Sequence, residues 1–297
     1  MRLGIDLGGT HLRTFSAGTF AESATPDGYA ALLARLRSFG AAELAIGVPG
    51  ATGPSVVSWV PALPWLDGRP LARDLSPARA VLANDAHLAL LGEAREGAAV
   101  GLRDAVLVSV GTGIGGAILH NGRIVRGHTG TAGAFGWLPA LGAATDAHGG
   151  FELAASGRAL DHLAASAAPG GRNFAEVVAS AGPGGRNFAE VAPGFSGGPA
   201  LVDAARAGDP RAIEVLHGWA ATLGAGLGAI ASILDPQRIV LSGGLCEAFD
   251  TYAEPLLAAA ANAASPGTRG VEIVPAALGV AAGAIGAWHA ASGEDQW

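Results

Sequence analysis

Half of the 297 residues are hydrophobic, 14% are charged, 47 are glycine, and the formal net charge is −7. That length exceeds one ordinary core and predicts two lobes; the hydrophobic share excludes disorder, and the lack of a basic stretch sets aside nucleic-acid binding. Cys246, the single cysteine, excludes an intramolecular disulfide and a multi-cysteine zinc site within one chain. The partners expected are small molecules.

The N-terminus reads MRLGIDLGGT. It enters a buried-strand pattern at once, without the charged leader, apolar core and cleavage site of a signal peptide. No apolar segment forms the unbroken run of about 20 that a membrane span needs. A soluble cytoplasmic protein with no membrane partner is expected.

Short apolar runs at residues 3–7, 44–48, 80–83, 105–110 and 238–241 read as buried strands. Ala- and Leu-rich stretches with helical spacing lie between and after them, at 28–39, 85–95 and 211–234. Strands alternating with helices predict an α/β protein. Three strands run into glycine clusters: Gly8-Gly9-Thr10, residues 111–116, and Ser242-Gly243-Gly244. Their recurrence in both halves predicts a duplicated architecture with a cleft between similar lobes. The first lobe is placed at 1–105 and the second at 106–277, with a helix in 278–297 crossing back to the first. Residues 166–177, SAAPGGRNFAEV, recur as SAGPGGRNFAEV at 180–191. Two copies are too few for a solenoid. A tandem duplication in a surface connection is the expectation, with a lid or oligomer contact as the alternative.

Asp6 ends the first strand, where a carboxylate can hold Mg2+ directly or through water. The glycines that follow let backbone amides approach a phosphate, and Thr10 adds a hydroxyl donor. The same residues also suit an ordinary hairpin turn. VLVSVGTGIGGAIL (106–119) repeats the arrangement around Gly111, Thr112 and Gly113. Two such turns suit two clamps on one polyphosphate. There is no GxxxxGK[ST] and no dinucleotide fingerprint. In VLANDAHLALLGEA (81–94), Asn84 and Asp85 fall between a strand and an amphipathic helix. Asp85 suits either a helix cap or a general base for a sugar hydroxyl, with Asn84 holding neighbouring hydroxyls. His87 reads as a helix-surface or packing residue.

With these elements in order, the chain resembles the ROK family of bacterial sugar kinases. LGIDLGGT is similar to the first phosphate motif and IGVPGATG (46–53), which contains Gly50, to a Pro-Gly turn near the sugar. LPWLDGRPLARDL (63–75) resembles the segment before the catalytic strand, LANDAHLALLGEA the Asn-Asp pair, and VSVGTGIGGAIL the second phosphate motif. ILDPQRIVLSGGL (233–245) resembles the adenosine-side motif and LGVAAGAIGAW (278–288) the terminal helix. The resemblance implies a two-lobed actin-like ATPase (ribonuclease H-like) fold with a central cleft, and transfer of the γ-phosphoryl group of ATP to a hexose or related sugar. It makes Asp85 the base and puts Asp6 near Mg2+. Gly8, Gly9, Thr10, Gly111, Thr112 and Gly113 would surround the phosphates, and Gly243 and Gly244 would lie by the adenosine. Lobe closure would exclude water. The family also implies a homodimer or homotetramer.

Departures from the pattern concentrate around the sugar. Where the family usually shows Gly-Glu-x-Gly-His, this chain has Gly133-Ala134-Phe135-Gly136-Trp137. The usual Glu binds sugar hydroxyls, and the usual His touches sugar and a structural zinc. The Cys-rich zinc segment is replaced by LGAATDAHGGFE (141–152), so no zinc is expected, and His148 alone cannot restore the site. GGFELAASG (149–157) keeps Glu152 as a sugar contact, and Trp137 would stack on a sugar face or fill vacated space. Loss of the carboxylate at Ala134 implies altered glucose binding or another sugar. The alternative is a catalytically degenerate sugar- or nucleotide-binding protein. A repressor would carry an N-terminal DNA-binding helix pair, whereas this chain begins at the phosphate strand. A sugar-acid kinase would need a cationic clamp beside the sugar motifs.

Overall fold

A computed structural model of the chain describes residues 1–53, 56–139, 148–166 and 195–293. The duplicated 166–191 segment, from 167 onward, and residues 141–147 of the cysteine-free segment lie outside the described residues. The chain divides into two compact units, one of residues 1–107, 116–133 and 276–297 and the other of residues 108–115 and 134–275.

The first unit is built on a five-stranded sheet of order β3-β2-β1-β4-β7. Strands β1 (Arg2–Leu7), β2 (His11–Ser16) and β3 (Thr19–Ala24) form an antiparallel meander. β4 (Glu43–Val48) and β7 (Arg79–Asn84) run parallel to β1. The apolar runs read at 3–7, 44–48 and 80–83 are these three parallel strands. Helix α1 (Tyr29–Ser38) buries Leu32 and Leu36, four residues apart, on one face of the sheet core. A small hairpin of β5 (Ala51–Thr52) and β6 (Val57–Ser58) and a short helix α2 (Leu71–Asp74) precede β7.

Helix α3 (Asp85–Glu96) follows β7 directly. Helix α9 (Ala282–Ala291) packs on both α3 and β1. Small residues make that approach possible. A Cβ at Gly4 of β1 would meet the backbone of Ala284 and Trp288, and one at Gly92 or Gly286 would meet the facing helix's carbonyls. Trp288 then closes the end of the stack edge-on against Phe15, with ring centroids 5.8 Å apart. Glu93 is fully buried at the same seam. Its Oε2 accepts the amides of Ala98 at 2.6 Å and Ala277 at 3.1 Å, and its Oε1 accepts that of Leu278 at 2.9 Å.

A second five-stranded sheet has the order β10-β9-β8-β11-β12. Its strands are β8 (Ala105–Val110), β9 (Ile114–His120), β10 (Arg123–Ile124), β11 (Arg238–Ser242) and β12 (Glu272–Pro275). In the second unit α4 (Gly150–Ala155), α5 (Gly157–Ser166), α6 (Gly198–Arg206), α7 (Pro210–Leu234) and α8 (Phe249–Ala263) pack together. Asp209 caps α7 by accepting the amides of Arg211 and Ala212. Gly224 and Gly228 bring α7 against the carbonyls of Leu256 and Ala260 on α8. Trp219 is fully buried, its indole N–H shared between the carbonyls of Ala155 and Ser156. Among the described residues α7 alone is long and apolar enough to cross a membrane, and most of its apolar window is buried in this packing.

Candidate active site

Three neighbouring parallel strands of the first unit, β1, β4 and β7, deliver candidate residues at or just beyond their carboxyl ends. Asp6 of β1 pairs in register with Gly47 of β4, and Val48 pairs with Asn84 of β7. The carboxyl edge of a parallel sheet is where α/β folds gather ligands. Gly47 matters here because a Cβ would press on the Cα of Asp85 at 3.3 Å, so glycine lets α3 start close to the sheet.

The helix-cap role falls to Asn84. Its Oδ1 accepts the Ala86 amide at 3.0 Å, and its Nδ2 donates to the Gly50 carbonyl at 3.2 Å. Asn84 thereby ties the Pro-Gly turn to the start of α3. Asp85 is the first residue of the helix, and its Oδ1 also accepts the Ala86 amide, at 2.9 Å. Burial, reinforced by the charge of Asp6, pushes its carboxyl up to about 7. Burial also raises Asp6, against the opposing pull of Arg13, whose guanidinium lies 3.4 Å from Oδ2. Arg13 is held in turn by Glu22 at 2.7 Å. Sequence reasoning missed Arg13; its signal is the hairpin register that puts it opposite Asp6.

Gly8, Gly9 and Thr10 form the β1–β2 turn. The Gly8 amide donates to the His11 carbonyl at 2.9 Å, and the Thr25 hydroxyl and amide brace Gly8 and Thr10 at 2.7 and 2.9 Å. The turn is thus a hairpin, with Gly9 and Thr10 exposed at its tip. His87 is buried, and its Nε2 lies 2.7 Å from the Ala132 carbonyl. Because a carbonyl only accepts, Nε2 carries the proton, and burial lowers the ring's pKa. Of the two roles read for it, surface or packing, the structure shows the second.

In the second unit β8 ends in the turn Gly111-Thr112-Gly113. The Gly111 amide donates to the Gly113 carbonyl at 3.0 Å, and the Gly157 amide, opening α5, donates to the Gly111 carbonyl at 2.7 Å. Gly243 has φ 102°, and a Cβ there would meet the Val110 backbone, so the end of β11 lies against the end of β8. Gly244 begins a 3-10 turn, Gly244–Ala248. Glu152, in the first turn of α4, accepts the Ile114 amide at 2.9 Å and faces His148 Nδ1 at 2.7 Å. Ala134 precedes the 3-10 turn Phe135–Trp137, and Trp137 is 41% exposed. Gly136 separates this turn from Glu152, since a Cβ there would lie 3.3 Å from that of Glu152. Each unit therefore gathers its own set: Asp6, Gly8, Gly9, Thr10, Gly50, Asn84 and Asp85 in one, and Gly111, Thr112, Gly113, Trp137, Glu152, Gly243 and Gly244 in the other.

No group of three or more His, Cys, Asp and Glu side chains suited to a metal occurs among the described residues. Mg2+ does not require one, because it is commonly held by one or two carboxylates together with substrate phosphates and water. Asp6 fits that pattern.

The architecture is that of the actin-like ATPase class, a mixed α/β fold of two sheet-based units. A model of the ROK family matches residues 26–294, and the chain belongs to that family. It is 32% identical over 216 residues to a glucokinase from Streptomyces coelicolor, a match that covers 70% of this chain and 65% of the relative. It is 31% identical over 232 residues to an N-acetyl-D-glucosamine kinase from Pectobacterium atrosepticum, covering 71% of this chain and 67% of that one. The structure superposes with a TM-score of 0.75 on a ROK family glucokinase from Streptomyces griseus in complex with glucose and AMPPNP. That pair is 26% identical, and the match covers 98% of this chain and 99% of the other. The chain spans slightly under two thirds of the length of the Streptomyces coelicolor relative.

Proposed function

We propose that the chain is an ATP-dependent sugar kinase that transfers the γ-phosphoryl group to a hydroxyl of a hexose, with Asp85 as general base. The observation that carries this reading is the environment of Asp85. A carboxyl pushed up to about 7 is matched to taking a proton near neutral pH. An ordinary surface aspartate would be too weak a base for the task. As the hydroxyl oxygen bonds to phosphorus, its proton passes to an Asp85 oxygen and the bond to the leaving ADP oxygen breaks. Asn84, anchored on Gly50, would hold a neighbouring hydroxyl.

The turns at Gly8–Thr10 and Gly111–Gly113 would present amides and hydroxyls to the phosphates, and Gly243 and Gly244 would border the adenosine. Asp6 would hold Mg2+, directly or through water, and the ion supplies charge neutralisation on the phosphates. Relatives named for glucose and for N-acetyl-D-glucosamine support a gluco-configured hexose as acceptor. Ala134 supplies no carboxylate there, and the indole of Trp137 would meet an apolar sugar face.

The test is a coupled ADP-release assay with Mg-ATP over glucose, N-acetylglucosamine, other hexoses and sugar acids, with Asp85→Asn alongside. Turnover on a hexose that falls about 10³-fold in the variant is expected, the scale of a lost general base. No turnover on any sugar, with nucleotide still bound, would instead establish a binding protein of the same fold.

A further inference from the structure

Glu152 is engaged in a way that a sugar contact alone does not require. Its Oε2 accepts the Ile114 amide at 2.9 Å, and its Oε1 lies 2.7 Å from His148 Nδ1. On the far side of the ring, Arg158 reaches His148 Nε2 at 2.8 Å. A guanidinium only donates, so Nε2 is the acceptor and the single proton of the neutral imidazole sits on Nδ1, directed at Glu152. The result is a one-way chain of donors, from Arg158 to His148 to Glu152, that ends on a carboxylate holding a backbone amide. In such a chain each bond polarises the next.

The chain terminates on the Gly-rich turn. A Cβ at Gly113 would collide with the Glu152 carboxylate, and one at Gly136 would meet the Ile114 carbonyl and press on the Glu152 side chain. The other end of the turn is held by the Gly157 amide on the Gly111 carbonyl at 2.7 Å. Residues 111–114 are thus clamped at both ends by α4 and α5, and the clamp at Ile114 depends on where the Glu152 carboxylate lies.

We propose that His148 and Arg158 are positioning residues that fix Glu152, and that Glu152 in turn sets the Gly111–Ile114 turn for the phosphates of the nucleotide. This rests on the reading of that turn as a phosphate clamp. Glu152 then acts on nucleotide binding through the backbone, whatever further bond it offers a sugar. A glutamine at position 148 can reproduce the device, donating from its amide nitrogen to Glu152 while its oxygen accepts from Arg158. An alanine cannot.

The experiment uses the full chain and measures, by calorimetry, the affinity for Mg-AMPPNP and separately for glucose, in wild type, His148→Ala and His148→Gln. Thermal melts confirm that each variant is folded. His148→Ala is expected to weaken Mg-AMPPNP about tenfold, the scale of one charge-assisted hydrogen bond, and to leave glucose within about twofold of wild type. His148→Gln should restore most of the nucleotide affinity. Weakened glucose with unchanged nucleotide would overturn the proposal and make Glu152 a sugar contact alone. Unchanged affinity for both would overturn it as well. A wild type that binds no Mg-AMPPNP would instead remove the phosphate-clamp reading itself, and this inference with it.

Discussion

Replacing Asp85 with asparagine tests the site through stability, independently of turnover. The carboxyl moves from an unperturbed 3.8 to about 7 in the folded chain. At about 1.4 kcal/mol for each pKa unit, that difference is worth about 4 kcal/mol. Between pH 4 and pH 7 the unfolded chain has released this proton while the folded chain retains it. Stability from this group is therefore complete below pH 4 and is lost as pH rises through about 7. Asparagine has nearly the same shape and no proton to release. Asp85→Asn should therefore match wild type near pH 3.5 and exceed it at pH 8 by about 2–4 kcal/mol, the lower figure allowing for water reaching a half-buried carboxyl. Urea denaturation of both proteins at the two pH values, with EDTA present so that no cation pairs with the carboxylate, reads the difference. A variant-minus-wild-type gap that stays constant with pH would refute the raised pKa and the argument for Asp85 as a base at neutrality.

The same ionisation predicts a rate profile. kcat/KM should rise about tenfold per pH unit on the acid side and level off near pH 7, because Asp85 must be deprotonated to act; a plateau reached by pH 5 would contradict it. Glu93→Gln should lower stability by about 2–3 kcal/mol in urea denaturation, since one of its two oxygens, each now receiving backbone amides, becomes a donor facing a donor. Gly286→Ala should cost about 3 kcal/mol, because the new methyl would drive into the Leu88 carbonyl where α9 meets α3. A melting temperature unchanged from wild type would show that the two helices can separate without loss.

The strands that carry the site were legible because they are mostly buried, β4 throughout its apolar run and β1 and β7 in large part. Residues 3–7, 44–48 and 80–83 read as short apolar runs, the first broken only by Asp6, and each ends at or beside a candidate site residue. The β2–β3 hairpin was not legible in the same way. β3 is exposed at nearly every position, so TFAESA shows no alternation, and Arg13 opposite Asp6 follows only from a register that no local pattern encodes. The Asn84-Asp85 pair illustrates a finer limit. Either residue suits a helix cap, and only the backbone geometry assigns the cap to Asn84 and the first helical turn to Asp85. Glu93 and the His148–Glu152–Arg158 chain are tertiary facts. Glu93 binds amides from a segment more than 180 residues away, and Glu152 gains its role from a turn 38 residues upstream. The i,i+4 spacing of His148 and Glu152 is visible in the sequence, but nothing local points Glu152 at the Ile114 amide or Glu93 at those of Ala277 and Leu278.

In the proposed function Asp85 directs phosphoryl transfer onto a sugar. Phosphorus NMR of the protein with Mg-ATP and glucose or N-acetylglucosamine, run for wild type and Asp85→Asn, follows that transfer itself. The expected result is a sugar-phosphate resonance that grows in step with ADP in wild type and is nearly absent in the variant, while the variant still binds Mg-AMPPNP. ADP and free phosphate without a sugar phosphate, or transfer undiminished by Asp85→Asn, would contradict it.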